Sequence, residues 1–176
     1  MMLTSIIVLL VVQRLFELRI AARNARISMA HGGREYGARH YPFFIVLHTT
    51  WFAAMVVEST MRKATELPDP ISWWWWMCAA VVIAAQGLRY WAITSLGEAW
   101  NTRIIVVPGR SPVEQGPYRF MKHPNYVAVV AELFCIPMLV GAPVTAIVVT
   151  VLNAILLLGI RIPTENRALE EGKEGP

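Results

Sequence analysis

Five apolar stretches separated by short charged segments organise this sequence of 176 residues. They cover about residues 2–18, 41–57, 71–93, 125–140 and 143–160. A membrane-spanning helix needs roughly 20 mostly apolar residues, a length that the third stretch meets comfortably and the last two barely reach. The apolar fraction of 56% also exceeds the roughly 45–50% of ordinary soluble domains. We therefore expect an all-α integral membrane protein with about five transmembrane helices.

The last two stretches are joined only by Gly141-Ala142-Pro143, which predicts an antiparallel helical hairpin. We treat residues 1–176 as a single membrane domain. Its N-terminal part, 1–93, would hold three helices, and 94–176 would hold a polar loop, the hairpin and a tail. No basic segment precedes Leu3 and no small-x-small cleavage site follows, so an uncleaved first helix is expected rather than a signal peptide.

Basic residues concentrate in alternate loops. The first loop, the third loop and the tail contain most of them, whereas the second loop contains Arg62 and Lys63. The positive-inside rule then predicts cytoplasmic first and third loops, an outside N-terminus and an inside C-terminus. The net charge of +4 belongs to residues that flank spans, which favours contact with anionic membrane lipids. No nucleic-acid partner is expected.

Several charged or polar residues fall inside the predicted spans, where a charge costs about 2.5–3.5 kcal/mol. Arg14, Glu17 and Arg89 lie near the cytoplasmic edge, so we expect them to snorkel to the surface. His48 and Glu132 are harder to explain in this way. Glu132 would point into a pocket beneath the third loop or pair with Arg89.

The third loop ends in a polar block, residues 116–126. Gly116-Pro117 is a turn dipeptide, and the residue before a proline avoids the α region. His123 should therefore be the last non-helical residue and Pro124 the first residue of a helix. The unpaired amides and positive dipole end of such a helix suit a carboxylate or phosphate.

A second polar block follows the fifth stretch. Arg161 and Glu165 are four residues apart, which places them on one face of a continuous helix. Pro163 lies between them, and a kink there would separate the two side chains. Because this segment emerges on the same side as the loop 116–126, the two polar blocks should meet.

These motifs resemble one known family. Gly116-Pro117-Tyr118, Lys122-His123-Pro124-Asn125-Tyr126, a helical hairpin, and then Arg161 and Glu165 are similar to the C-terminal signature of the isoprenylcysteine carboxyl methyltransferase family. The resemblance covers about Trp100 to Leu169. Upstream segments resemble its bacterial branch, often associated with methylation of alkylpyrones: Arg14-Leu15-Phe16-Glu17-Leu18, Asn24, Gly33-Arg34-Glu35-Tyr36-Gly37, His40-Tyr41-Pro42, His48 and Trp51. A bacterial inner-membrane location would follow.

The resemblance implies S-adenosylmethionine as methyl donor and a lipophilic acceptor that presents an acidic oxygen, such as an isoprenylcysteine or an alkylpyrone. Cofactor-binding residues would be Gly116, Pro117, Tyr118, His123, Pro124, Tyr126 and Glu165. Arg161 and Glu165 are the catalytic candidates, since a guanidinium suits planar oxyanions. Weaker acceptor-side candidates are Asn101, Arg103, Glu132 and His48. The family's usual second acidic residue is replaced here by Asn166, and no metal is expected.

Two other functions remain open from the sequence. Related membrane folds include sterol-type reductases that use NADPH, but the short cytoplasmic segments leave little room for that larger cofactor. A non-catalytic scaffold or small transporter is compatible with the helices and with Glu132. Neither inverted repeats nor paired broken helices are visible in the sequence.

Overall fold

The computed structural model describes residues 2–62 and 72–173. Six α-helices follow in chain order: α1 (Met2–Ala30), α2 (Tyr41–Arg62), α3 (Trp73–Leu96), α4 (Pro124–Leu139), α5 (Pro143–Leu156) and α6 (Ile162–Lys173). Two short strands, β1 (Arg34–Tyr36) and β2 (Ile104–Val106), lie in the loops. Tight helical turns cover Gly97–Ala99 and Gly116–Arg119, and a wide π turn covers Leu157–Arg161. Lys63 of the second loop and residue 71, the first residue of the third predicted span, lie outside the described residues.

Within the described residues, three helices are long and apolar enough to cross a membrane, namely Tyr41–Arg62, Trp73–Ala99 and the continuous helix Pro143–Gly172. Pro124–Leu139 is a shorter apolar helix. The chain is therefore an all-α integral membrane protein, as the apolar pattern predicted. The number of five spans stays a prediction.

Proline begins both helices of the predicted hairpin. His123 has φ −130° and ψ 59°, outside the helical region, and Pro124 is the first residue of α4. Pro143 begins α5 in the same way. The amides of Val144 and Thr145 at this second helix start donate to the Glu58 carboxylate at 3.0 and 2.7 Å. The positive end of the α5 dipole stabilises the negative charge of this carboxylate. The two hydrogen bonds also join α2 to the hairpin.

Pro163 does not interrupt the last helix. The π turn Leu157–Arg161 connects α5 to α6 directly, with Pro163 as the second residue of α6. A proline ring clashes with the carbonyl four residues earlier in a regular helix, and a π turn widens the helix at that level. The Thr164 hydroxyl also donates to the Ile160 carbonyl at 2.7 Å. Pro163 therefore does not break the helix, which continues from Pro143 to Gly172.

A two-stranded ribbon joins the first and third loops, a feature that the sequence analysis did not predict. Arg34 pairs with Val106 and Tyr36 with Ile104 in an antiparallel register. Three-residue strands are too short to show a period-two pattern. The C-terminal end of α6 packs on the ribbon, since the Gly172 carbonyl accepts a hydrogen bond from Gly109 at 3.1 Å. The ribbon thereby brings the first loop and the tail to the polar loop.

Arg14, Glu17, Arg89 and Glu132 form a buried ionic network between α1, α3 and α4. Glu132 accepts hydrogen bonds from Arg89 Nε at 2.8 Å and from Arg14 Nη2 at 2.9 Å. Glu17 pairs with the same two arginines at 2.7 and 3.4 Å. Arg89 is only 2% exposed. The prediction that Glu17 and Arg89 snorkel is therefore wrong, because both side chains are buried and paired with opposite charges, whereas Arg14 stays 24% exposed.

Candidate active site

A cavity of about 810 Å³ opens where the two polar blocks meet the β2 strand. This volume lies within the roughly 300–1,000 Å³ of small-molecule sites. The segment 99–107, the loop 110–123, the start of α4 and the start of α6 line it. The sequence-predicted residues among its lining are Asn101, Arg103, Tyr118, His123, Tyr126, Arg161 and Glu165.

Tyr126 connects the two catalytic candidates. Its hydroxyl accepts a hydrogen bond from Arg161 Nε at 3.0 Å and donates a short one to Glu165 Oε2. The continuous helix through Pro163 keeps Arg161 and Glu165 on one face, toward α4. Arg161 is 7% exposed, so its charge acts in a region with little water. The predicted meeting of the two polar blocks is confirmed.

His123 extends this group of side chains. Its ring stacks on Tyr126 with centroids 5.2 Å apart and an interplanar angle of 15°. Nδ1 lies 3.9 Å from Glu165 Oε2. Two further polar atoms of the cavity lining, His123 Nε2 and Asn125 Oδ1, are buried without a partner among the described residues. Buried polar atoms are normally hydrogen-bonded, so both residues of the cavity lining have unused hydrogen-bonding capacity.

Tyr118 lies on the same wall. Burial, and then the nearby Glu165 carboxylate, raise the pKa of Tyr118 well above its ordinary value of 10. The hydroxyl therefore stays protonated at neutral pH and keeps a donor.

Gly116 and Pro117 hold the turn rather than line the cavity. Gly116 has φ +57°, and a Cβ there would lie 2.0 Å from Ser95 Oγ and 2.9 Å from Trp91 Nε1. Pro117 is buried. Only glycine fits this conformation so close to α3, which fixes the position of the polar loop against that helix.

The N-terminus of α4 differs in part from the predicted seat for a carboxylate or phosphate. The amides of Tyr126 and Val127 donate to the His123 carbonyl at 3.1 and 3.3 Å. These two amides are therefore already paired and do not present an anion seat. Pro124 is buried and shapes this helix start without lining the cavity.

Beside the opposite wall lie Thr102, Tyr41 and Glu35, which do not line the cavity and which the sequence analysis did not name as site residues. The Thr102 carbonyl accepts a hydrogen bond from Arg161 Nη2 at 2.8 Å, and its hydroxyl lies 3.1 Å from the Tyr41 hydroxyl. Arg103 stacks over the Tyr41 ring at 5.3 Å and pairs with Glu35 at 3.3 Å. No local pattern marks Thr102, Tyr41 or Glu35 for this site, because the ribbon brings them together with Arg103 and Arg161 from distant segments.

The family model of the isoprenylcysteine carboxyl methyltransferase (ICMT) family matches residues 77–171, more than half of the chain. The protein belongs to this family. YpbQ of Bacillus subtilis is 41% identical over 166 residues, covering 94% of this chain and 95% of the relative. A Haemophilus influenzae protein is 24% identical over 157 residues, covering 89% and 88%. No solved structure matches this chain.

Membership of the ICMT family makes this chain a membrane methyltransferase in the general sense and confirms the resemblance drawn from residues 100–169. Family membership favours methyl transfer over the two other functions considered from the sequence, a reductase and a non-catalytic scaffold or transporter. Among residues 2–62 and 72–173, no group of three or more His, Cys, Asp or Glu side chains is placed to hold a metal ion.

Two predicted acceptor-side residues lie away from the cavity of this ICMT-family protein. Glu132 is 1% exposed and pairs with Arg89, the second of the two possibilities considered for it. His48 Nδ1 donates a hydrogen bond to the Phe44 carbonyl at 2.8 Å. Neither residue lines the cavity. Glu132 is held away from the loop because the buried Arg89 and the partly exposed Arg14 neutralise it.

Proposed function

We propose that this protein is an S-adenosylmethionine-dependent O-methyltransferase that acts at the membrane on an acidic oxygen of a lipophilic acceptor. The observation that carries the proposal is the hydrogen-bonded group Arg161–Tyr126–Glu165, which places a buried guanidinium and a carboxylate on one cavity. Its setting in an ICMT-family chain supports the reaction class.

The cavity residues fit the cofactor. Glu165, whose side chain is 28% exposed, offers a carboxylate for an ammonium group. The aromatic rings of His123, Tyr126 and Tyr118 suit a sulfonium and an adenine ring. The unpartnered His123 Nε2 and Asn125 Oδ1 provide further polar contacts. These groups would hold the donor against the α4 wall.

When bound, S-adenosylmethionine supplies a methyl group on sulfur: the bond from the acceptor oxygen to the methyl carbon forms while the carbon–sulfur bond breaks, and the electron pair stays on sulfur. Arg161 would hold the acceptor oxyanion in line with that bond. Its Nε and Nη2 bind Tyr126 and Thr102, and Nη1 makes no hydrogen bond to the part of the chain that the structure describes. An ionised acceptor needs no strong base, so positioning and exclusion of water supply the catalysis.

Acceptors of two kinds suit this site, the carboxylate of an isoprenylcysteine and the enol of an alkylpyrone. Both carry a long apolar tail that reaches the cavity from the bilayer. Under the positive-inside rule, the site would face the cytoplasm of a bacterial inner membrane.

Calorimetric titration with S-adenosylhomocysteine tests the cofactor assignment. Detergent-purified protein should bind it saturably, and Glu165→Gln, which keeps the shape and removes the charge, should weaken binding at least tenfold, the equivalent of about 1.4 kcal/mol. Protein with a normal melting profile that binds NADPH but not S-adenosylhomocysteine would overturn the proposal in favour of a reductase.

Transfer of a labelled methyl group from S-adenosylmethionine to S-farnesylcysteine or to an alkylpyrone tests the reaction itself. We expect product with at least one of these acceptors and none with Arg161→Gln. Cofactor binding without transfer to either acceptor would contradict the stated acceptor class.

A further inference from the structure

The polar loop before α4 carries an exposed aromatic side chain at its tip. Phe120 is 76% exposed, and the next residue, Met121, is 39% exposed. The tip has a defined shape, because the amides of both residues donate to the Pro117 carbonyl at 3.1 Å. Apolar side chains that an ordered turn holds outward gain free energy when another apolar surface covers them.

This tip lies against the C-terminal part of α3. The centroid of the Phe120 ring is 6.5 Å from that of Trp91, which is itself 49% exposed. Trp91 belongs to the apolar helix Trp73–Ala99. In an integral membrane protein, an exposed aromatic side chain on such a helix faces lipid. Phe120 therefore adjoins a lipid-facing surface.

The position of Trp91 along α3 places this contact at the edge of the bilayer. Trp73, Trp74 and Trp76 are exposed at the other end of the helix, as is typical of tryptophans at a membrane interface. Trp91 lies 18 residues beyond Trp73. This separation spans about 27 Å at 1.5 Å per residue, and the hydrocarbon core is about 30 Å thick. Trp91 and Phe120 consequently lie near the opposite interface.

Two cations flank the apolar tip. Arg119 and Lys122 are exposed, and neither side chain makes a hydrogen bond or ion pair with the part of the chain that the structure describes. An aromatic ring between two basic residues suits the surface of a bilayer, because the ring enters the acyl boundary while the cations meet lipid phosphates. This charge complementarity favours an anionic lipid surface over a second protein as the covering partner.

We propose that the turn 119–122 docks on the bilayer, with Phe120 at the acyl boundary and Arg119 and Lys122 on the phosphates of anionic lipids. Tyr118 and His123, on either side of this turn, line the cavity. Docking therefore holds the cavity mouth at the membrane surface, where a lipophilic molecule passes directly from the bilayer into the site. The proposal concerns the membrane contact of the loop and does not depend on the identity of the cofactor or the acceptor.

A nitrobenzoxadiazole probe attached to Met121→Cys tests the depth of the tip while keeping Phe120. Cys78 and Cys135 are buried, so the unsubstituted protein is the labelling control. In nanodiscs of phosphatidylcholine with about one-third phosphatidylglycerol, doxyl-labelled lipid should quench this probe at least about twofold more than the same probe on Ser111→Cys.

Ser111 is the matched control position because it is exposed on the same loop. It follows Gly109, whose amide binds the Gly172 carbonyl at the far end of the long helix Pro143–Gly172. That helix of 30 residues exceeds the thickness of the hydrocarbon core, so its far end lies in water.

Substitutions in the Met121→Cys background separate the two parts of the docking surface. Phe120→Ser should reduce quenching at least about twofold, because it removes the apolar anchor. Replacing phosphatidylcholine in part by phosphatidylglycerol should increase quenching, since each cation strengthens docking about fivefold. The double variant Arg119→Gln, Lys122→Gln should lose this increase. Arg26→Gln, which removes an exposed charge from α1, is the charge control and should keep it.

Equal quenching of the probes at positions 121 and 111, or quenching that Phe120→Ser does not change, overturns the proposal. A probe at position 121 with blue-shifted emission that doxyl-labelled lipid does not quench would also overturn it, because a protein surface, such as a second copy of this chain, would then cover the tip. Equal quenching with and without phosphatidylglycerol would overturn the role of the two cations.

Discussion

Arg161 Nε donates a hydrogen bond to the Tyr126 hydroxyl at 3.0 Å, and this contact connects the last helix to the helix that begins at Pro124. The same hydroxyl donates to Glu165. A neutral phenol thereby orients a cation and an anion that are four residues apart. Since Arg161 and Glu165 are both charged, each of their hydrogen bonds to the Tyr126 hydroxyl is stronger than one between neutral groups.

Tyr126→Phe should weaken S-adenosylhomocysteine binding about tenfold or more, because hydrogen bonds to charged groups contribute about 1.5–3 kcal/mol. Without the hydroxyl, Glu165 loses the hydrogen bond from Tyr126, and Arg161 keeps its hydrogen bond to the Thr102 carbonyl. Calorimetry measures the affinity. An affinity equal to that of wild type would show that the bridge does not organise the cofactor site.

Gly116→Ala should impair the cofactor site, because the added Cβ would meet Ser95 Oγ at 2.0 Å and displace the polar loop from α3. Gly32→Ala is the matched control: Gly32 also has positive φ, +79°, but nothing lies within 4 Å of its Cβ position. Both variants acquire backbone strain of about 1 kcal/mol, and only Gly116→Ala acquires the clash. Equal S-adenosylhomocysteine affinity in the two variants would contradict this account.

Arg89→Gln should destabilise the protein by about 3–5 kcal/mol, since it leaves Glu132 with a buried charge that Arg14 alone must balance. The double variant Arg89→Met, Glu132→Met removes one charge of each sign and keeps the Arg14–Glu17 pair. It should therefore recover much of that loss. Unfolding titrations in mixed detergent micelles measure both changes. A double variant less stable than Arg89→Gln would show that the network contributes more than charge balance.

His40, in the loop before α2, should make stability depend on pH. Burial of its ring, and then the nearby Arg161, lower the pKa of His40 below its ordinary value of 6.5. Between these two values the unfolded chain binds a proton that the folded chain does not, so the free energy of unfolding falls as the pH decreases. This loss of stability is complete below the lowered pKa of His40 and absent above pH 6.5.

His40→Gln should reduce this pH dependence. Melting midpoints of wild type and variant, recorded on both sides of pH 6.5, measure the difference between their slopes. Parallel curves would show that His40 does not contribute to the acid sensitivity.

Much of the site was predictable because its signals are local. Gly116 and Pro117 predict a turn and Pro124 predicts a helix start, each through its own backbone preference. The spacing of Arg161 and Glu165 is also a local property. Thr102, Tyr41 and Glu35 were missed because their contacts span 59 to 68 residues along the chain and come through a ribbon of three-residue strands.

The buried ionic network also depends on contacts between distant segments, which the local sequence does not reveal. From the sequence alone, the position of Arg89 near a helix end predicts a side chain that snorkels to the membrane surface. Its burial depends on Glu17 and Glu132, which only the packing of α1 and α4 against α3 brings within reach.

The sequence by itself determined the membrane setting, the helical class, the proline-started hairpin and the polar blocks, because hydropathy and backbone preference act over a few neighbouring residues. Only the tertiary structure decided which polar side chains are paired and which face the cavity. Arg161 meets Thr102 and Glu132 pairs with Arg89 because distant segments pack together. Hydrogen bonding and charge pairing in a region with little water depend on those distances.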